Sequence, residues 1–311
     1  MYRTKKILVT GAYGFLGKFF CKELEDRGYT DIIRLAGPSS ADIDLTKISD
    51  VEHVFDIYTP DVVVHLAARV GGIGANKNYP GSFFYQNMAM GLNVIEQARK
   101  SNCEKFVLAS TVCAYPKFTP VPFNEMDIWN GYPEETNAPY GIAKKALMEM
   151  LQAYRKEYGF NGITLMPVNM YGPEDNFNPE FSHVIPALIL KFQEALDQGK
   201  SEVTVWGTGE ASREFLYVGD CAKAIAMAME KYDDPNPVNL GTNNEITISA
   251  LAQLIAEKIG YDGRIVFDSS KPDGQPRRCL DTTSAKDFFG FEAETSLSEG
   301  LEKTIRWFNA N

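Results

Sequence analysis

The chain has 311 residues, enough for one large hydrophobic core or two smaller ones, and its 44% apolar and 23% charged content is ordinary for a soluble globular fold. A formal net charge of −10 argues against nucleic acid or an anionic membrane as a partner. Cys21, Cys103, Cys113, Cys221 and Cys279 are scattered without disulfide or metal-site spacing, which predicts free thiols in a cytoplasmic setting and no metal. No apolar run approaches the roughly 18 residues that a membrane span needs.

The opening MYRTKKILVTGAYGFLG is basic and then apolar, but its glycines make it read as a strand and turn, not as a signal peptide. KKILVT is the first predicted strand. It runs into LVTGAYGFLGKFF, where Gly11, Gly14 and Gly17 are spaced as in a phosphate-binding turn that opens a helix. Gly11 suits the tight turn, Gly14 lets backbone approach a diphosphate, and Gly17 permits close helix–strand packing, so Gly11, Tyr13, Gly14, Phe15, Leu16 and Gly17 are expected to hold a dinucleotide.

After the helix KFFCKELEDRG, the second strand DIIRL ends in RLAGPSSADID, with no carboxylate before Asp42 to accept from an adenosine 2′-hydroxyl. With Arg34, Ser39 and Ser40 close by, that absence favours NADP(H) over NAD. Asp44 reads equally well as a partner for the adenine amino group or as a helix N-cap.

The alternation continues with the helix ISDVEHVFDIY, the strand DVVVHLAA, the helix GLNVIEQARKS, the strand KFVLAS, the long helix APYGIAKKALMEMLQAYRKEYG and the strand GITLMPV. This βα order predicts a Rossmann-type, doubly wound parallel sheet. Within it, Tyr140 and Lys144 are four apart on one helical face, and a nearby ammonium would favour the phenolate. Thr111, at the end of KFVLAS, is placed to hydrogen-bond the same carbonyl oxygen. In the stretch STVCAYP, Cys113 is two residues past Thr111, on the same side if the chain stays extended, although a buried filler thiol fits the residue as well. His65 reads as a buried strand histidine and His53 as a helix-surface one.

Beyond about residue 170 the texture becomes loop-rich (YGPEDNFNPEFSHVIP, VTVWGTGEASREF), followed by the helices ALAQLIAEKIG and SLSEGLEKTIRWF. We expect residues 1–168, with about 214–241, to form the cofactor domain, and 169–213 with 242–311 to form a smaller substrate domain over the sheet's carboxyl edge.

TGAYGFLG, DVVVHLAA, the segment ending in STVCAY, PYGIAK, PVNMYGP and REFLYVGD resemble, in order and over almost the whole chain, the extended short-chain dehydrogenase/reductases that modify nucleotide sugars. VGGIGANKNYPGSFFYQN, CAYPK, NFNPEFSHVIPAL, VTVWGTG and SKPDGQPRR are similar to one branch of that family. Those enzymes epimerise GDP-4-keto-6-deoxy-D-mannose at C3 and C5 and reduce it at C4 with NADPH. The resemblance implies catalytic roles for Thr111, Tyr140 and Lys144, with Cys113 and His183 as the proton-transfer pair of epimerisation. It implies cofactor contacts at Leu66, Ala67, Ala68, Lys144, Pro167 and Asn169, and GDP-4-keto-sugar contacts at Asn169, His183, Lys191, Trp206, Arg213 and Lys271. The arginines that grip a 2′-phosphate in that branch are absent: Tyr13 and Gly37 take their places.

The resemblance also implies a homodimer through the helices near 88–100 and 140–157, whose outer faces would carry Met88, Met90, Leu147, Met148 and Met150 unless these are core. Competing readings differ in chemistry. A sugar dehydratase would carry an acid pair where Val112 and Cys113 stand, and a UDP-sugar 4-epimerase needs no ring proton-transfer pair. A related GDP-4-keto-heptose is an alternative substrate. A nucleotide-sugar-binding protein with dead catalysis conflicts with the intact Thr111, Tyr140 and Lys144.

Overall fold

The computed structural model of the chain describes residues 2–35, 43–271 and 273–311. The first apolar run forms β1 (Ile7–Thr10), and the glycine turn feeds α1 (Phe15–Asp26). β2 (Ile32–Leu35), α2 (Ile48–Tyr58) and β3 (Val62–His65) follow, then α3 (Ile73–Asn78) and the long α4 (Pro80–Lys100). The expected helix GLNVIEQARKS is only the second half of α4, because Pro80 in the first turn starts the helix earlier. β4 (Lys105–Ala109), α5 (Ala138–Tyr158) and β5 (Gly162–Pro167) complete the alternation, with Gly159 closing α5 in the left-handed conformation at φ 69°.

The loop-rich half holds more regular structure than its composition suggests. β6 (Asn169–Tyr171), α6 (Val184–Asp197), β7 (Glu202–Trp206) and β8 (Ser212–Tyr217) lead into α7 (Val218–Lys231) and β9 (Val238–Leu240). β10 (Glu245–Thr247), α8 (Ile248–Ile259), β11 (Arg264–Asp268), α9 (Thr283–Phe289) and α10 (Leu297–Ala310) end the chain. The strands sort into a six-stranded parallel sheet, β2-β1-β3-β4-β5-β9, and two small sheets, β10-β8-β6 and β11-β7.

β1, β3, β4 and β5 are buried along their whole length, as parallel strands covered by helices on both faces must be. Alternate residues therefore serve two cores. Ile7, Val9, Val62, Val64 and Val107 pack beneath α1 and α7, while Leu8, Val63, Phe106 and Leu108 pack against α2, α4 and α5. A third core, built on Ile189, Phe192, Leu251, Ile255 and Leu301, stabilises the later elements. Met90 and Leu147 are buried in the second core and Met148 in the first, so they are not outer-face residues of α4 and α5; Met88 and Met150 pack at the margin of the second. Gly91 makes this packing possible, since a Cβ there would lie 2.1 Å from Leu147 Cδ1.

The chain leaves β1 for β2 on one side and then crosses to β3 on the other. That reversal opens a crevice at the carboxyl ends of the strands, where ligands of such sheets bind.

Candidate active site

A cavity of about 890 Å³ occupies this crevice, within the usual range for a small-molecule site. The turn after β1 forms one part of it. Gly11 has φ +70°, and a Cβ at Gly17 would lie 2.0 Å from the Gly11 carbonyl oxygen, so the turn closes only with glycine at both positions. Gly14 caps α1 without any side-chain hydrogen bond, which leaves first-turn N–H groups available to an anion. Tyr13, Phe15 and Leu16 line the same space, with Leu66, Ala67 and Ala68 after β3, Pro167 at the end of β5 and Asn169 at the start of β6. A bare N-terminus, a tight glycine cradle and an apolar flank together fit a dinucleotide.

Arg34 and Asp44 stand outside the described lining: Arg34 pairs with Glu25, and Asp44 accepts from the backbone and hydroxyl of Thr46 in a local turn. Lys47, not Asp44, precedes α2 as its N-cap residue. Gly37, Ser39, Ser40 and Asp42 lie outside the described residues.

His65 ends β3 and shares a 2.8 Å hydrogen bond with Thr10, whose hydroxyl also accepts from the Ala67 backbone. Burial, seconded by the Lys144 ammonium, holds the ring's pKa down at about 3, so it is a neutral fastener between β1 and β3.

Thr111, Cys113, Tyr140, Lys144 and His183 all line the cavity. The backbone around the thiol is not extended, contrary to expectation. The Thr111 hydroxyl accepts from the Cys113 N–H and starts a 3₁₀ turn over Val112–Ala114. The turn still presents both side chains to the cavity, and it packs against α5 because a Cβ at Gly141 would lie 2.3 Å from the Cys113 carbonyl.

Tyr140 is buried in the cavity wall. Burial raises its phenol well above the ordinary range, the charge of Cys113 adds to this, and only the Thr111 hydroxyl opposes it. Lys144 Nζ donates to the Ala109 carbonyl at 2.9 Å, and burial lowers its own pKa to about 8. In the free chain Tyr140 is therefore a protonated acid. His183 caps α6 and is held below its usual range by burial and by Arg278.

Lys191, Trp206 and Arg213 line the cavity in the half built by the later elements. Lys191 Nζ lies 5.6 Å from the Trp206 ring centroid and donates to the Thr204 carbonyl, and Lys271 lies over the same indole at 5.7 Å. Trp206 is 59% exposed, while Lys271 is a neighbour of the indole outside the described lining. Arg213 is buried, donating to the Ser212 and Asp273 carbonyls, and burial with the nearby Arg278 charge lowers its pKa.

Sequence reasoning missed several lining residues: Asn137, Asp175, Asp273, Gln275 and Arg278. Three of these lie in SKPDGQPRR, where Lys271 was the residue singled out; motif membership gave the neighbourhood but not the orientation. Asp175 gave no signal in sequence. It is buried, its Oδ1 accepts from the Asn176 N–H at 2.7 Å, its Oδ2 has no partner, and burial raises its pKa to about 7.

Residues 7–241 match the model of the NAD dependent epimerase/dehydratase family, and the chain belongs to that family. More particularly, it is 42% identical to the probable GDP-L-fucose synthase 1 of Oryza sativa subsp. japonica, over 98% of this chain and 92% of that protein. Among solved structures, the NADP-bound GDP-L-fucose synthetase of Naegleria fowleri superposes with a TM-score of 0.90 at 27% identity, covering 100% of this chain and 96% of the other. A GDP-6-OMe-4-keto-L-xylo-heptose reductase from C. jejuni gives a TM-score of 0.92 at 26% identity, covering 100% and 99%.

Proposed function

We propose that this protein is an NADP(H)-dependent epimerase/reductase that converts GDP-4-keto-6-deoxy-D-mannose to GDP-L-fucose. The observation that carries the reading is the meeting of Thr111, Tyr140 and Lys144 with Cys113 and His183 in one cavity. A 4-ketone acidifies the protons on C3 and C5, so donors at O4 stabilise the enolates of both inversions and then serve the reduction. Thr111 and Tyr140 supply those donors. Cys113 and His183 move the ring protons, and burial keeps Tyr140 protonated until it gives its proton to O4. Bound NADPH supplies the hydride at C4. The glycine turn holds its diphosphate, while Leu66, Ala67, Ala68 and Pro167 flank it. Lys191 and Arg213 would neutralise the GDP diphosphate, with Trp206 against the guanine.

The preference for NADPH rests on the missing carboxylate after β2 and on the family. NADPH should exceed NADH at least tenfold in kcat/KM, about 1.4 kcal/mol of transition-state stabilisation. The decisive assay supplies the purified protein with NADPH and GDP-4-keto-6-deoxy-D-mannose and identifies the product by NMR. GDP-L-fucose is expected; no NADPH oxidation would end this reading. The likeness to the heptose reductase favours a second substrate, a GDP-4-keto-heptose, and a higher kcat/KM for that sugar in the same assay would reassign the specificity.

We also infer two interlocked domains, 1–168 with about 214–241 and 169–213 with 242–311. The division is supported by the small sheet that β8 forms with β6 and β10, apart from the six-stranded one. A homodimer through α4 and α5 remains our reading, supported now by exposed Phe84, Tyr85 and Leu92 on α4. A cytoplasmic location is supported by five free cysteines. Among the described residues no helix is long and apolar enough to cross a membrane, and no cluster of metal-ligating side chains is present.

A further inference from the structure

Arg278 belongs to none of the roles assigned above, yet its guanidinium reaches the reaction chemistry. It is 7% exposed, and Nη1 donates to Asn169 Oδ1 at 3.1 Å and toward Cys113 Sγ at 3.8 Å. Its Nε donates to Gln275 Oε1 at 3.2 Å, and Gln275 is itself fixed by donating to the Pro116 and Lys117 carbonyls. The guanidinium is thus braced on the segment that follows the Cys113 turn and cannot swing away from the thiol without breaking that brace. Among the described residues its guanidinium donates to Gln275, Cys113 and Asn169, none of them a carboxylate.

We propose that Arg278 is the counter-charge of the proton-transfer pair, stabilising Cys113 as a thiolate during ring epimerisation. This rests on the reading of Cys113 and His183 given above. Inversion at a ring carbon requires one group to take the C–H proton and another to return a proton to the opposite face. When Cys113 takes it, the thiolate becomes a thiol, the C–H electron pair moves onto O4 as an enolate, and the protonated imidazole of His183 gives its proton to the carbon. The pair resets as the thiol proton passes back to the imidazole through solvent. One end of that cycle is always a thiolate, and a buried guanidinium beside the sulfur favours it.

Four charged or titratable groups bear on the thiol, three by direct interaction with it and His183 by sharing its cavity. They are Arg278 ahead of α9, Arg213 on β8, the phenol of Tyr140 on α5 and the imidazole of His183 at the start of α6. Both arginines favour the thiolate. In the empty cavity Arg278 also opposes a proton on His183, and the two negative charges of a substrate diphosphate act in the other direction. Substrate binding would then load the imidazole while the thiolate is already held.

The test uses Arg278→Met and Arg278→Lys in the full-length protein. Cys113 is the one free cysteine that is not buried, so iodoacetamide reports on its thiolate, with Cys113→Ser as the background control. Alkylation of the ligand-free protein should slow at least tenfold in Arg278→Met and return to within a few-fold of wild type in Arg278→Lys. Deuterium exchange at C3 and C5 should fall in parallel in Arg278→Met, by roughly 10²-fold, and recover in the lysine variant. Unchanged alkylation in both variants, with only KM for the GDP-sugar raised, would overturn the proposal and make Arg278 a substrate anchor. Because alkylation needs no substrate, it judges Arg278 even if the protein proves not to act on this sugar.

Discussion

At Tyr140 and Asp175 burial is the largest influence on the protonation state. Desolvation raises the Tyr140 phenol, so Tyr140→Phe removes a proton that is present at neutral pH while keeping the ring that packs in the cavity wall. Hydride transfer to the 4-ketone should fall by roughly 10²–10⁴-fold, the usual loss for a general acid, with NADPH affinity retained. Stopped-flow NADPH oxidation checks this, and a variant keeping most of its rate removes Tyr140 from the mechanism.

Asp175 makes a prediction about stability. Its pKa rises from 3.8 to about 7 on burial, so below pH 3.8 it is protonated in both folded and unfolded chains and costs nothing. Between those values the unfolded chain ionises and the folded one does not, so stability falls as pH rises, and the full penalty is present above about pH 7. Asp175→Asn abolishes this titration. Its stability relative to wild type should improve steadily from pH 4 to 7 and then level off, by on the order of 1–4 kcal/mol. Urea titrations across that range measure it; a difference independent of pH would show that Asp175 ionises normally.

Elements account for how the Cys113 turn reaches the cavity. The sequence shows a strand followed by two residues, which alone favours continued extension; it does not show that the Thr111 hydroxyl captures the Cys113 N–H and curls the chain. The side chains converge anyway, because Gly141 lets α5 press against the turn. Gly141→Ala puts a methyl 2.3 Å from the Cys113 carbonyl and should push the turn away from Tyr140 and Lys144. Helix propensity alone would make this change stabilising by about 1 kcal/mol. We predict instead a lower Tm and at least a tenfold loss of kcat, measured by thermal unfolding and turnover. A more stable, fully active variant would mean the contact is soft.

The elements of the first half were readable because period-2 strands and period-3.6 helices alternate there without interruption, and the observed sheet repeats that order. The second half was less readable. α6 follows a proline- and asparagine-rich loop, and the short strands β6, β8 and β10 find partners only in three dimensions. For the same reason Tyr140 and Lys144 were visible as an i, i+4 pair, whereas Arg278, separated from Cys113 by 165 residues, had no local pattern to mark it.

For the whole molecule, the central claim is that a single cavity between the parallel sheet and the later elements performs two chemistries with separable residues. Glu214 illustrates how the two parts are locked together: buried on β8, its carboxylate accepts from the backbone of Thr242, Asn243 and Leu280, which joins the strand carrying Arg213 to the segments after β9 and before α9. Because the parts are fixed together, a substitution confined to the thiol should leave the reduction machinery in place. The most direct measurement follows deuterium incorporation at C3 and C5 of GDP-4-keto-6-deoxy-D-mannose in D₂O, alongside NADPH oxidation, for wild type and Cys113→Ser. Serine ionises far above neutral pH, so exchange should collapse while NADPH is still consumed slowly, giving a sugar reduced at C4 without the normal inversions. Exchange by Cys113→Ser at the wild-type rate would contradict the account, returning the thiol to a packing role and reducing the protein to a 4-reductase.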